Sequence, residues 1–270
     1  MRWVVAFGLA CAGCDFRLPA AAIPPGEDAT PPVCPVGVDP HDEDGDGTPD
    51  ACDACPQLAN AAAGDSDGDG IPDACDPHPT TDGDVLAMFE TFAKAGPAPA
   101  GWQARGGGSQ NDWNAGGDAL RVSSGNDTHL IIFDTTTAHH TFDIGVDILA
   151  VTTAGFEFVT VLGDARSDVT QFKGCGIRVD TLSPAPDREI VHLDGAFFTS
   201  NIDQTDAPQP VGSYRMVVTI DQNRTVCSVP AGDNLHTLLA TNTTHDNTFV
   251  GLRLNNATLA FRYAAIYRSP

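Results

Sequence analysis

The run Asp42-Glu43-Asp44-Gly45-Asp46-Gly47-Thr48-Pro49-Asp50-Ala51-Cys52-Asp53 returns 23 residues later as Asp65-Ser66-Asp67-Gly68-Asp69-Gly70-Ile71-Pro72-Asp73-Ala74-Cys75-Asp76. Two copies at a fixed offset are one structural unit used twice. Numbered from the first Asp, both copies carry carboxylates at positions 1, 3, 5, 9 and 12, with Gly at 6. Such a run resists collapse, because carboxylates about 4 Å apart repel by roughly 1 kcal/mol per pair even in water. A hard dication removes the conflict. Ca²⁺ takes about six to eight oxygens at roughly 2.3–2.6 Å, and alternate short carboxylates around a turning Gly supply them. The expected ligands are Asp42, Asp44, Asp46, the Thr48 carbonyl, Asp50 and Asp53 in the first copy. In the second they are Asp65, Asp67, Asp69, the Ile71 carbonyl, Asp73 and Asp76. A solvated acidic linker has no reason to keep Gly at 6, Pro at 8 and Cys at 11 in both copies. An EF-hand needs a helix on each side. Here Cys-Pro and Ala/Gly-rich segments flank the loops, and position 12 is Asp rather than Glu.

Each copy ends in Cys-Asp and is preceded by Cys-Pro, at Cys34-Pro35 and Cys55-Pro56. The unit Cys-Pro…Asp-x-Asp-x-Asp-Gly-x-Pro-Asp-Ala-Cys-Asp resembles the thrombospondin type 3 repeat, over Cys34 to Asp76. The resemblance implies an extended acidic ribbon held by calcium and disulfides, with Cys34 paired to Cys52 and Cys55 to Cys75. That family carries further polar ligands between Cys-Pro and the Asp run. Here Asn60 is followed by Ala61-Ala62-Ala63-Gly64, which leaves the number of ions per repeat open.

Physical chemistry points the same way. Between Pro35 and Asp84 the large apolar residues are Val36, Val38, Leu58 and Ile71. They are too few to offset the entropy of ordering the segment. From Asp39 to Asp84 there are 14 Asp or Glu and no Lys or Arg. Metal binding is then the folding energy of this stretch, and each small disulfide loop adds about 3 kcal/mol. The whole chain, with 14 basic and 36 acidic residues, carries a formal charge of −22. That balance argues against nucleic acid and anionic membrane surfaces as partners.

The chain begins Met1-Arg2 and continues with the apolar run Trp3 to Ala10, which is too short to span a bilayer and reads as an export signal. It ends in Cys11-Ala12-Gly13-Cys14, which resembles a bacterial lipoprotein signal and implies lipidation at Cys14. The other reading is plain cleavage after Ala22 and release to the periplasm or medium. Residues 1–14 are thus the signal and 15–33 a Pro/Ala-rich tether. The repeats occupy 34–76 and a linker 77–84. Outside the signal six Cys remain, an even number suited to an oxidising compartment. With the repeat bridges taken from the resemblance, Cys175 is left to pair with Cys227.

From residue 85 the pattern changes. Phe142, Ile144, Val146 and Ile148 alternate with Asp143, Gly145 and Asp147; Tyr214, Met216, Val218 and Ile220 alternate with Arg215, Val217 and Thr219. Similar runs separated by Gly, Pro, Asn and Asp recur to the end of the chain. This period of two predicts an all-β, antiparallel jelly-roll-type sandwich of about 11 to 13 strands over 85–270. Only Val85 to Lys94 has the pattern of a short helix. The stretches Phe89-Glu90-Thr91-Phe92, Gly101-Trp102, Trp113, Gly117 to Val122 and Phe249 to Tyr267 resemble concanavalin A-like lectin/glucanase and laminin G-like sandwiches.

Some relatives in that fold hydrolyse glycans with Glu-x-Asp-x-x-Glu on one strand, and no such run is present. Asp143 and Asp147 share a face but lie about 13 Å apart along a strand, beyond the roughly 5–9.5 Å of glycosidase carboxylates. They read as a solvent face, and the sandwich as no enzyme. His139 and His140, adjacent on an extended chain, face opposite ways. Trp113, in a Gly/Asn-rich stretch, is the candidate platform for a ligand. The expectation is therefore a calcium-binding protein of the cell envelope or surface, lipid-anchored and otherwise free of the membrane. A repeat stalk presents a lectin-like module to carbohydrate or another surface protein. Two alternatives stand beside it, a divergent glycan hydrolase and a structural spacer with an inert cap.

Overall fold

The computed structural model describes residues 34–35, 37, 39–59, 64–125, 127–151, 159–180, 187–194, 197–204, 211–221, 224–231, 234–241 and 247–269. The signal with Cys14 and the tether lie outside the described residues. Among the described residues there are sixteen strands in chain order: β1 (Val85–Glu90), β2 (Gly96–Pro97), β3 (Gln103–Gly106), β4 (Asn114–Ala115), β5 (Leu120–Ser123), β6 (Thr128–Asp134), β7 (His140–Val151) and β8 (Val159–Ala165), then β9 (Phe172–Asp180), β10 (Asp187–Asp194), β11 (Phe197–Gln204), β12 (Gly212–Asp221), β13 (Arg224–Ala231), β14 (Asn234–Thr241), β15 (Phe249–Asn255) and β16 (Ala257–Arg268). The strands beyond the expected number are mostly too short to show a periodicity. The stretch with a helical pattern is also a strand: β1 pairs antiparallel with the second half of β16, Leu86 opposite Tyr267 and Glu90 opposite Ala264.

Two antiparallel sheets face each other. One runs β14-β13-β12-β7-β16-β5-β4-β2, with β1 also on β16; the other runs β11-β10-β9-β8-β15-β6-β3. The alternation read from sequence is visible in β12, where Tyr214, Met216, Val218 and Ile220 are buried while Arg215, Val217 and Thr219 between them are half-buried. These side chains meet Val159, Val161, Ile177, Val250, Leu252 and Leu254 of the other sheet in one continuous core. The Cys175–Cys227 disulfide crosses that core from β9 to β13. Closing a 52-residue span is worth about 4 kcal/mol in the chain-entropy model.

Strand β7 breaks the alternation. From His140 to Val146 it is buried on both faces, Asp143 included at 1% exposure. The reading of Asp143 as a solvent-facing residue is therefore corrected, and the cause is a covering layer. Cys55, Ile71 and Cys75 of the repeats form an apolar cluster with Ala265 and Tyr267 on the outer face of β16, flanked by Leu58, Leu86 and Phe89. The repeats, whose one regular element among the described residues is a 3-10 turn at Asp50–Cys52, are laid against the sandwich rather than standing clear of it as a stalk. Their disulfides join Cys34 to Cys52 and Cys55 to Cys75.

Candidate metal centre

The two repeat loops fold alike because the same backbone donors find the same carboxylates. Asp42 accepts from the Gly45 and Gly47 amides with its two oxygens, both at 2.9 Å. Asp65 accepts from Gly68 at 2.7 Å and Gly70 at 3.0 Å. Gly47 and Gly70 hold φ near +97° and +98°, a left-handed conformation that favours Gly. Asp44 accepts the Asp46 amide at 3.0 Å, and Asp46 the Thr48 amide at 2.8 Å. In the second loop Asp67 accepts from Asp69 at 3.3 Å and Asp69 from Ile71 at 2.9 Å.

These bonds leave oxygens over. Asp42, Asp44 and Asp46 bring one oxygen each to within 4.8 Å of one another, and Asp65, Asp67 and Asp69 do the same. Asp44 Oδ2 and Asp67 Oδ2 are buried and accept no hydrogen bond. A buried carboxylate oxygen without a donor is costly, and a cation among the three carboxylates satisfies it. The residues thus fit a hard, oxygen-preferring ion such as Ca²⁺. Burial first, and then the charges of Asp46, Asp53 and Asp42, push the Asp44 carboxyl up to about 6. Burial, seconded by Asp46, Asp50 and Asp42, also raises Asp53.

Positions 9 and 12 do not stand in these clusters. Asp50 braces the first loop instead, accepting the Glu43 amide at 2.8 Å and lying 2.6 Å from His41 Nδ1. Asp73 likewise accepts the Ser66 amide and hydroxyl, both at 2.7 Å. Asp53 accepts the Cys55 amide at 2.8 Å. Asp76 lies with Asp69 and Asp84. Asp50 and Asp73 each reach back seven residues, to the amide at position 2 of their own loop. Thr48 and Ile71 donate amides to their loops as described, with Ile71 also turned into the contact with the sandwich.

A second constellation, not foreseen from sequence, fastens the repeats down. Asp143 accepts from Arg215 through Nε at 3.0 Å and Nη2 at 2.7 Å, and from Tyr263 Oη at 3.2 Å. Gln57, in the second repeat, donates to Asp143 at 3.1 Å and to Tyr267 Oη at 2.7 Å. Burial opposes the Arg215 charge, but Asp143 more than offsets it and raises the guanidinium further. Burial and then Asp143 hold Tyr263 and Tyr267 above the ordinary phenol range. The first repeat adds His41 Nε2 to Asp118 at 3.4 Å. Burial lowers His41, yet Asp50, Asp118 and Glu43 together leave it raised.

The remaining candidates resolve as follows. Trp113 is fully buried and stacks on Phe261 with centroids 6.2 Å apart, so it is a core residue and no ligand platform. It lies between a 3-10 turn at Gln110–Asp112 and the short strand β4. Trp102 packs against Phe92, Phe133 and Phe142. His140 is buried with Nδ1 3.0 Å from the Thr137 carbonyl, and forms no pair with His139. Asp147 faces Arg262 at 3.4 Å.

No protein-family model and no curated protein matches the chain. Solved structures match in fold. One is SCLam, a non-specific endo-β-1,3(4)-glucanase from family GH16, at 10% identity and a TM-score of 0.50, covering 69% of this chain and 92% of that one. Another comes from work on endo-acting O-glycanases of the human gut microbiota that initiate mucin breakdown, at 6% identity and a TM-score of 0.51, covering 69% and 100%. A third is the VIP36 exoplasmic/lumenal domain in a Ca²⁺-bound form, at 9% identity and a TM-score of 0.49, covering 69% and 90%. The expectation that the sandwich is no enzyme is corrected here. It rested on a missing linear motif and on the spacing of Asp143 and Asp147, whereas the fold is one that endo-glucanases also use. The likeness establishes the concanavalin A-like sandwich and leaves its chemistry to be argued from its own residues.

Proposed function

We propose that this is an exported calcium-binding protein. Its two repeats, of thrombospondin type 3 character, carry the ions, and its sandwich engages glycans at the cell surface, in adhesion or recognition. The observation that carries the calcium reading is the pair of orphaned oxygens, Asp44 Oδ2 and Asp67 Oδ2, each inside a cluster of three carboxylates. Three disulfides suit an oxidising environment outside the cytoplasm. The run Ala12-Gly13-Cys14 supports a lipid anchor. The glycan reading draws on the fold shared with the glucanase and O-glycanase structures, and that likeness also favours cleavage as a second reading.

Calorimetric titration of the oxidised chain with CaCl₂ tests the first part. The expected dissociation constants are about 10⁻⁴–10⁻³ M, the range of extracellular modules. An absence of binding heat at millimolar calcium refutes it. A glycan array probed with and without calcium, followed by a reducing-end assay on the glycans bound, separates recognition from cleavage. No retained glycan in either condition refutes both. Cys14→Ser removes lipid labelling if the anchor reading holds, and unchanged labelling overturns it.

A further inference from the structure

Asp84 closes the linker, immediately before β1, and no part of the repeated motif includes it. It is nevertheless 1% exposed. Its Oδ2 lies 2.9 Å from His78 Nδ1, while its Oδ1 is buried and accepts nothing. Beside it, Asp76 is 9% exposed; its Oδ1 accepts the His78 amide at 2.7 Å and its Oδ2 is also buried without a donor. Asp69 joins them, turning Oδ2 toward this side, where it accepts the Gly83 amide at 3.2 Å. One oxygen from each of the three lies within 4.8 Å of the others. Ligand oxygens on opposite sides of a calcium ion are about 5 Å apart.

From this we infer a further cation site made by Asp69, Asp76 and Asp84, which staples the second repeat to the first strand of the sandwich. Two buried carboxylate oxygens without donors converge with a third carboxylate. Among the described residues the one basic side chain bonded to them, His78, approaches with Nδ1 alone, and that nitrogen faces Asp84 Oδ2 at 2.9 Å rather than either orphaned oxygen. A bridging water could donate to two oxygens but would leave three negative charges together. A proton shared between Asp76 and Asp84 would bridge those two carboxyl groups but leave Asp69 without a countercharge; a dication meets both demands. All-carboxylate donors with no sulfur or free imidazole select a hard ion, and the tolerance of calcium for irregular oxygen shells favours it over magnesium.

Among the described residues the site occurs in the second repeat alone. Moving back by the repeat offset, Asp69 and Asp76 correspond to Asp46 and Asp53, but Asp84 corresponds to residue 84 − 23 = 61, which is Ala61. A methyl group cannot ligate. The first repeat therefore ends in a linker to the second, and the second ends in a ligand supplied from the entry to the sandwich. Asp69 serves the second loop and this site together, so the proposal rests on the calcium reading of that loop through this residue only.

Native mass spectrometry of the oxidised chain at saturating CaCl₂ tests it. The wild type is expected to hold three ions, Asp84→Asn two, and Asp82→Asn, an exposed control outside the clusters, three. Equal counts in the wild type and a folded Asp84→Asn overturn the proposal. Should that variant fail to form its disulfides, a wild-type count of two or fewer overturns it by itself. Asp44→Asn keeps the calcium reading separately testable, because it removes the ion of the first loop without touching Asp69, Asp76 or Asp84. Amide exchange over β1 is expected to quicken in Asp84→Asn and stay unchanged in Asp44→Asn.

Discussion

Ile71→Ala separates docking of the repeats from metal binding. Ile71 occupies position 7 of the second loop, where the backbone carbonyl is the candidate ligand, and the substitution keeps that carbonyl. Its side chain is 7% exposed and packs with Cys55, Cys75, Ala265 and Tyr267. Truncation removes three carbons at about 0.8 kcal/mol each by transfer alone. A rigid core adds a cavity term that takes such changes to about 2–5 kcal/mol. This contact is one layer deep and its loop can settle inward, so about 2 kcal/mol is the expected loss. That is roughly a 30-fold rise in the local opening constant. Amide hydrogen exchange at saturating calcium reads it directly. The Asp73 amide bonded to Gly64 at 2.7 Å and the Cys75 amide bonded to Pro72 at 2.9 Å report the second repeat. Both should exchange about 30-fold faster while the number of bound ions is unchanged. A change under threefold refutes the claim that this side chain holds the repeat down. Loss of an ion together with protection refutes the separation of docking from coordination.

Three further outcomes follow. Arg215→Met leaves Asp143 buried without its cation and should destabilise the sandwich by about 3–5 kcal/mol in chemical denaturation; a loss under 1 kcal/mol would mean that Gln57 and Tyr263 suffice. Replacing Cys175 and Cys227 together by Ala should cost about 4 kcal/mol without altering the calcium count, checked by denaturation and mass spectrometry. In the chelated protein, burial raises Asp44 and Asp76 to about 6 and Glu43 to about 7, above their ordinary values. Protonation of these groups favours the folded form, so stability should be highest near pH 4 and decline as pH rises through 6 to 7. Calcium should reverse that trend and release protons on binding, measurable by calorimetry in buffers of different ionisation enthalpy; an affinity that does not change between pH 5 and 7 would contradict it.

The sandwich was legible because its strands alternate: Tyr214, Met216, Val218 and Ile220 fall on one face, and they are the residues the structure buries. The carboxylate clusters at positions 1, 3 and 5 were legible because their geometry is local, each set by amides two to five residues away. What escaped was long-range. Asp143 sits at a polar position of an alternating strand, and the partners that enclose it lie far off in the chain, Gln57 86 residues earlier and Tyr263 120 later. Trp113 lies in a stretch whose composition reads as a loop, and its burial depends on Phe261, 148 residues on.

Yet the two copies of the repeat carried the missing information in their differences. Position 7 is Thr48 in the first and Ile71 in the second. A calcium loop that uses this residue through its carbonyl is indifferent to the side chain, so an Ile there needs another cause. Ile71 is buried against β16, whereas Thr48 is half-exposed. The disulfides differ in the same sense. Cys55 is fully enclosed and Cys75 nearly so, while Cys34 and Cys52 remain half-exposed. The spacing at the exit differs too: the second copy runs on to Asp84, where the first has Ala61. Each difference places more apolar or more ligating chemistry on the copy next to the sandwich. The motif shared by the two copies specifies a loop that gathers three carboxylates. The departures from it mark the copy whose apolar face packs on β16, while the first copy reaches the sandwich through His41.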